Sequence, residues 1–292
     1  MNKKSIPFLI LAILHSIILL ITFRKKGKKT FTLLTIGIGV AYVFEYFVLN
    51  VFKMYKYYPK IFKNKWIDSV MGALLSQAVF VPITGTVLTL FKHGWKARIG
   101  AALFYGATER IFIKWKIFSN DTWSTIYTVG AMPMYFYIIT KWWRGLQNGN
   151  KLIQWSSLLL CFWTNYTNIL FIALARYKKY RFRFHAVRNR YWDHFIIVPL
   201  YTLLASIVGT INTFHMPTSF KWCGILFMHL IDQCLFHCKL IKPSNKGSLY
   251  KLLPIHISIL LLGEIYKKLI KSEHHIHEVN TSRGWDKTKT RL

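Results

Sequence analysis

The chain has 292 residues, 53% hydrophobic and 17% aromatic, and sets 40 Lys and Arg against 10 Asp and Glu, a formal charge of +30. In a soluble protein that imbalance would point to nucleic acid, but here the basic residues fall in short clusters between long apolar runs, which excludes an ordinary water-soluble domain. The pattern is that of an all-α, polytopic α-helical integral membrane protein: a span needs about 20 mostly apolar residues, and the runs suffice for eight or nine transmembrane helices.

In chain order, the first run is Ile6 to Phe23, closed by RKKGKK at Arg24 to Lys29. MNKK ahead of it resembles the start of a signal peptide, but the run is long for one and no small-residue cleavage site ends it, so it is expected to be retained. Thr30 to Phe52 follows, then a Lys-rich loop from Lys53 to Asp68, then Val70 to Phe91 with Pro82 inside it. Ile99 to Ile113 is short and carries Glu109 and Arg110, which makes it the weakest span. Ser124 to Thr140, Leu152 to Ala175, Phe195 to Ile211, Trp222 to Ile241 and Leu252 to Ile270 complete the set. Tryptophans such as Trp66, Trp95, Trp123, Trp142 and Trp192 lie near the ends of these runs, where an amphipathic ring prefers the headgroup zone. Residues 1–271 therefore read as a transmembrane bundle and 272–292 as a polar, basic, disordered tail.

The segment RYKKYRFRFHAVRNRYWDH, Arg176 to His194, packs seven Lys and Arg and six aromatics into nineteen residues. Pinned between two spans, it is expected to act as a topological signal and to bind anionic lipid headgroups, worth about 1 kcal/mol per basic residue near the surface, rather than to bind nucleic acid. Parity is unresolved by charge. Nine spans place Arg24–Lys29 and Arg176–Arg190 on opposite sides; eight spans, with the Glu109/Arg110 run dipping in or lying at the interface, place both on the cytoplasmic side. The eight-span arrangement is preferred, although neither count accommodates the Lys53–Lys65 loop under the positive-inside rule.

Cys161, Cys223, Cys234 and Cys238 all fall in apolar runs and read as buried small residues, with no disulfide framework. Cys234, His237 and Cys238 lack a second Cys pair to close a tetrahedral metal site. The tract His274, His275, His277 reads as part of a solvated tail, and neither metal nor cofactor is expected. Lys63-Asn-Lys-Trp-Ile-Asp68 resembles Arg188-Asn-Arg-Tyr-Trp-Asp193, each leading into a span with Val-Pro. Pro82 lies fourteen residues after its Asp and Pro199 only six, so the register fails and a shared way of starting a helix is preferred to a duplication.

The run EYFVLNVFKMYKYYPKIFKNKWIDSVMGALLSQAVFVP, with the later WDHFIIVPLY, resembles multi-span membrane proteins of spore-forming Gram-positive bacteria. The resemblance implies a membrane protein and supplies no catalytic residue.

Ionisable residues at membrane depth cost about 2.5 to 3.5 kcal/mol each on insertion scales and usually face the bundle interior. The candidates are Glu45, Glu109, Arg110, His256 and Glu264, with Glu45 and Arg110 a conceivable pair. In the Trp222–Ile241 run, His229, Asp232, Gln233 and His237 fall within an arc of about 140° and form a candidate polar intramembrane face, expected near His256 or Glu264. Signatures of metalloproteases, serine hydrolases and P-loops are missing. The expectation is a non-catalytic scaffold, sensor or envelope component of the cell membrane, with a small-solute or proton-linked transporter as the alternative.

Overall fold

The computed structural model describes residues 2–177, 180–185, 188–217, 220–243 and 252–289. It is all-helical, 82% helix, apart from two short two-stranded ribbons. Five helical stretches are long and apolar enough to cross a membrane: Lys3–Lys26, Lys28–Val51, Lys65–Leu90, Lys151–Leu174 and Tyr191–His215.

The first of these contains α1 (Ile6–Lys26), the least buried of the five. Only Phe8, His15 and Thr22 are buried, seven residues apart, while Ile10, Ile13, Ile17 and Leu20 are exposed. One narrow stripe thus docks on the bundle and the rest is suited to hydrocarbon, since seven residues is nearly two helical turns. Gly27, at φ +61°, reverses the chain into the next helix, a conformation open to glycine at little cost.

From there the same order of elements occurs twice. The first pass is α2 (Lys28–Glu45, extended by a π-turn at Tyr46–Val51), β1 (Tyr55–Tyr57), α3 (Lys65–Leu74) running through a π-turn into α4 (Val81–Leu90), α5 (Trp95–Lys114), β2 (Phe118–Asn120) and α6 (Thr125–Gln147). The second is α7 (Lys151–Tyr177), β3 (Tyr180–Phe182), α8 (Arg190–His215), α9 (Lys221–His237), β4 (Ile241–Pro243) and α10 (Leu253–Lys289). β1 pairs antiparallel with β2, and β3 with β4, with Lys56 opposite Ser119 and Arg181 opposite Lys242.

The two passes share their local chemistry. Asn64 and Asn189 cap α3 and α8, each side-chain oxygen accepting two backbone N–H bonds. Asp68 accepts from the N–H groups of Lys60, Ile61 and Phe62, and Asp193 from those of Phe184 and His185, so each carboxylate holds the loop that precedes its helix. Lys60 and His185 both have positive φ in those loops. α5 and α9 end alike: Lys116 and Lys239 adopt positive φ, and the following N–H reaches back five residues, from Ile117 to Phe112 and from Leu240 to Leu235. The shared Asn-x-x-x-Asp is therefore more than a common helix start, because every flanking element recurs with it. The proline register fails for a physical reason. Pro82 starts α4 after the π-turn at Leu75–Phe80, whereas Pro199 lies in the first half of the unbroken α8, so the prolines stand about two turns apart in the two passes and are not equivalent positions.

Packing of large on small residues also recurs, with the roles exchanged. In the first half the Tyr135 ring of α6 meets Gly37 of α2 and Gly85 of α4. In the second, the Phe162 ring of α7 is wedged against Gly209 of α8 and Gly263 of α10. The halves join along α2 and α7, where Gly39 lies against Leu160 and Tyr42 donates to Asn168 at 2.6 Å. At one end of that seam Trp192 donates to the Asn50 carbonyl and packs against Trp66 with the rings tilted at 60°.

These contacts fix the two ends of the bundle. α2 runs from the RKKGKK turn to the β1–β2 ribbon, and its far end touches the start of α8 through Asn50 and the Phe195 carbonyl. The described part of the basic segment, residues 180–185 and 188–190, thus lies with the ribbons, at the opposite end of the bundle from Arg24–Lys29. The element that separates these ends is α5. Its start lies beside the RKKGKK end, where Lys26, Lys29 and Arg98 line one pocket, and its end leads into the ribbon, so its 20 residues, about 30 Å, run the full length of the bundle. Its charges gather towards the two ends, leaving Ile99 to Thr108 uncharged between them.

Candidate functional site

Asp232 of α9 has no exposed surface and lies in the interior of the second half. Tyr201 of α8 donates to its Oδ1, and His256 of α10 lies 2.8 Å from Oδ2 through Nε2. The other ring nitrogen, Nδ1, is 3.1 Å from the hydroxyl of Tyr166 on α7. One residue from each of the four helices of the half thus enters a single chain, Tyr201–Asp232–His256–Tyr166, all of them buried. Both carboxylate oxygens and both ring nitrogens are engaged. With both sides of the acid and of the imidazole bonded to neighbouring helices, such a chain braces the four helices together.

Its counterpart in the first half is built on Glu109. Glu109 lies seven residues before Lys116, as Asp232 lies seven before Lys239. Thr128 is the fourth residue of α6 and His256 the fourth of α10. Thr128 and Thr125 donate to the two oxygens of Glu109, and Trp123 donates to the Thr128 hydroxyl at 2.8 Å. Glu109 is only half-buried and borders a cavity of about 90 Å³ together with Tyr57, Tyr105 and Trp123.

Glu45 occupies the seam between the halves. It is buried, and Oε2 accepts from Tyr55 and from Gln77 at 3.1 Å, while Oε1 has no hydrogen-bond partner. A cavity of about 70 Å³ next to it is lined by residues of both halves, among them Asn50, Trp163 and Thr167. Burial, and after it the Glu45 carboxyl, pushes the Tyr55 phenol well above its ordinary range, so this hydroxyl remains a donor.

The other expected residues are dispersed. The stripe on α9 divides: Asp232 faces the core, whereas Gln233 bonds His229 at 3.2 Å along the flank and His237 is exposed. Arg110 is exposed, not buried, on the outward face of α5 with Ile111 and Leu103, and near the helix end its long side chain can reach the headgroup zone. Glu45 meets Tyr55 and Gln77 in place of Arg110. Glu264 pairs with Lys221. Cys161 is buried, but Cys223, Cys234 and Cys238 are exposed, because α9 turns an apolar face of Trp222, Leu226, Phe227 and Leu230 outward and a small thiol suits that face equally well. The side chains of His274, His275 and His277 lie outside the described residues; among the described ones, no three His, Cys, Asp or Glu converge on a metal position.

Tyr166 and Tyr201 were not foreseen from sequence, where sixteen tyrosines offer no local mark for the two that meet an acid. No family model matches the chain, and no curated protein or solved structure is similar to it.

Proposed function

We propose that the chain is a multi-pass protein of the cell membrane that acts by binding, as a scaffold, sensor or envelope component, and that it crosses the bilayer nine times. The observation that carries this reading is the closed Tyr201–Asp232–His256–Tyr166 chain: the groups best suited to acid–base chemistry are bonded to one another and brace four helices. Five helices are long and apolar enough to cross a membrane. The remaining four, α5, α6, α9 and α10, occupy the same two places in each half, and their polar groups turn into the bundle or gather at its ends.

Two measurements test it. With the four native cysteines replaced by alanine, a cysteine introduced at Lys28 or at Arg183 should differ in accessibility, one and only one being labelled by an impermeant maleimide added to intact cells. Labelling of both, or of neither, would remove the nine-crossing arrangement. In proteoliposomes the purified protein should carry no proton current under an imposed pH gradient. The second reading, a proton-linked small-solute transporter, is favoured by Glu45, whose unpartnered oxygen adjoins a cavity lined from both halves. A current lost in Glu45→Gln while the protein remains folded would establish that reading and displace the first.

A further inference from the structure

A pocket of about 710 Å³ opens at the RKKGKK end of the first half, where the α1–α2 turn, the end of α4, the start of α5 and the end of α6 meet. Lys26, Lys29, Lys92, His93, Arg98 and Arg144 line it, together with Thr140 and Trp143, and no acid does. Glu273 of α10 approaches Lys29 at 3.7 Å from outside the lining.

Arg98 separates this cluster from an ordinary solvated basic rim. It is only 7% exposed, a burial that arginine seldom adopts without an anion. Its Nη2 donates to the Thr140 hydroxyl at 3.1 Å, an oxygen also bonded to Thr89, and its Nε has no hydrogen-bond partner. The guanidinium carbon lies 5.1 Å from the Trp95 ring and 5.8 Å from that of Tyr137. Hydroxyls and rings orient the guanidinium but do not neutralise it, and a buried, uncompensated cation is strongly disfavoured. The fork of a guanidinium matches two oxygens of a phosphate, with the lysines as mobile point charges around it. The volume exceeds that of a bare ion and lies in the range of sites that hold a whole small molecule.

We propose that this pocket is a phosphate-recognition site, with Arg98 holding the phosphate oxygens and Lys26, Lys29, Lys92 and Arg144 balancing the remaining charge. At a bundle end the phosphate has two sources: the headgroup of an anionic phospholipid entering from the leaflet, or a soluble phosphorylated solute. The inference rests on the membrane reading only in the first case.

The test uses the full chain, purified in a neutral detergent and stripped of lipid. Its melting temperature is followed with inorganic phosphate, with glycerol phosphate, and with sodium chloride at matched ionic strength. Retention of phosphatidylglycerol over phosphatidylcholine is followed in parallel by native mass spectrometry. Phosphate or glycerol phosphate should raise the melting temperature by several degrees where chloride does not, or phosphatidylglycerol should be retained selectively; the first outcome identifies a soluble ligand and the second a headgroup. Arg98→Gln should abolish the effect, and Arg98→Lys, which keeps charge without the fork, should weaken it about tenfold. Should Arg98→Gln fail to fold, the double variant Lys92→Gln/Arg144→Gln, confined to the rim, should still lower apparent affinity at least tenfold. Equal stabilisation by chloride, or a lipid preference and phosphate response unchanged in the rim variant, would overturn the assignment. Absence of proton current leaves this site untouched, so its failure and that of the scaffold reading are separable.

Discussion

Asp232→Leu should leave little folded protein after extraction into mild detergent, with the melting transition lowered well beyond that of any variant on the exposed face of α9. The change removes the acceptor of both Tyr201 and His256 at a position with no exposed surface. Breaking a buried pair by deleting one member costs about 3 to 5 kcal/mol, because the surviving polar groups stay in a dry interior without a partner, and that is a large part of the roughly 5 to 15 kcal/mol that holds a typical domain. Asp232→Asn keeps an acceptor for Tyr201 and offers a nitrogen to His256, so its cost should be about 1 kcal/mol. Removing the whole chain at once, Asp232→Leu with His256→Leu, Tyr201→Phe and Tyr166→Phe, should recover most of the loss of the single variant, since no orphaned group then remains. Thermal melts of the three proteins in one detergent decide it. A single Leu variant as stable as the wild type would show that the chain does not brace these helices.

The second large effect is expected at Gly263. A Cβ built there would lie 2.1 Å from the tip of the Phe162 ring and 2.8 Å from its two neighbours, far inside van der Waals contact. Phe162 is fully enclosed and is itself pressed against Gly209, so it has no direction in which to retreat. Even Gly263→Ala must push α10 away from α7, at a cost of about 1 to 3 kcal/mol, and Gly263→Leu should exceed that range. Adding Phe162→Leu to the alanine variant should restore part of the stability, while the same Phe162→Leu change alone should destabilise by opening a void. Melting temperatures of the four-member cycle measure the coupling; simple additivity would mean that the ring and the glycine do not compete for one space.

Much of the fold was legible because lipid imposes a simple rule. Runs such as Ile6–Phe23 and Leu152–Ala175 have no alternative to a helix once they leave water. α5 escaped that rule. Charge density read along the chain counts Lys96, Arg98, Glu109, Arg110 and Lys114 together, whereas in space they divide between its two ends and one of them, Arg98, turns inward. The repeat is hidden in the sequence because Pro82 and Pro199, its most visible common feature, are not equivalent positions, whereas the equivalent Asp68 and Asp193 are ordinary polar residues until the loops they hold are seen.

For the candidate site, periodicity on α9 marked Asp232 and left His256 and Glu264 as alternative neighbours; His256 meets it, while Glu264 pairs with Lys221. The flank at His229 and His237 was over-read: an arc of 140° is wide enough to include one residue that faces the core and another that does not. The pocket around Arg98 had no mark in the sequence. Its basic residues come from separate segments, each of which alone resembles an ordinary loop signal at a membrane surface.

Each half holds four helices, an even number, so the chain finishes the first half at the end where it began it and starts the second in the same direction. The ribbons confirm the sense, both lying at the end where Asn50 meets α8. The halves therefore run in the same sense along the length of the bundle, and are not inverted with respect to each other. In a protein of inverted halves, exchanging the conformations of the two turns an outward-open molecule into an inward-open one. Here the same exchange would return a molecule open to the side on which it was open before. Any difference between the two faces of this protein must arise from sequence divergence between the halves, such as Glu109 with its hydroxyls against Asp232 with its histidine, or from the unpaired α1.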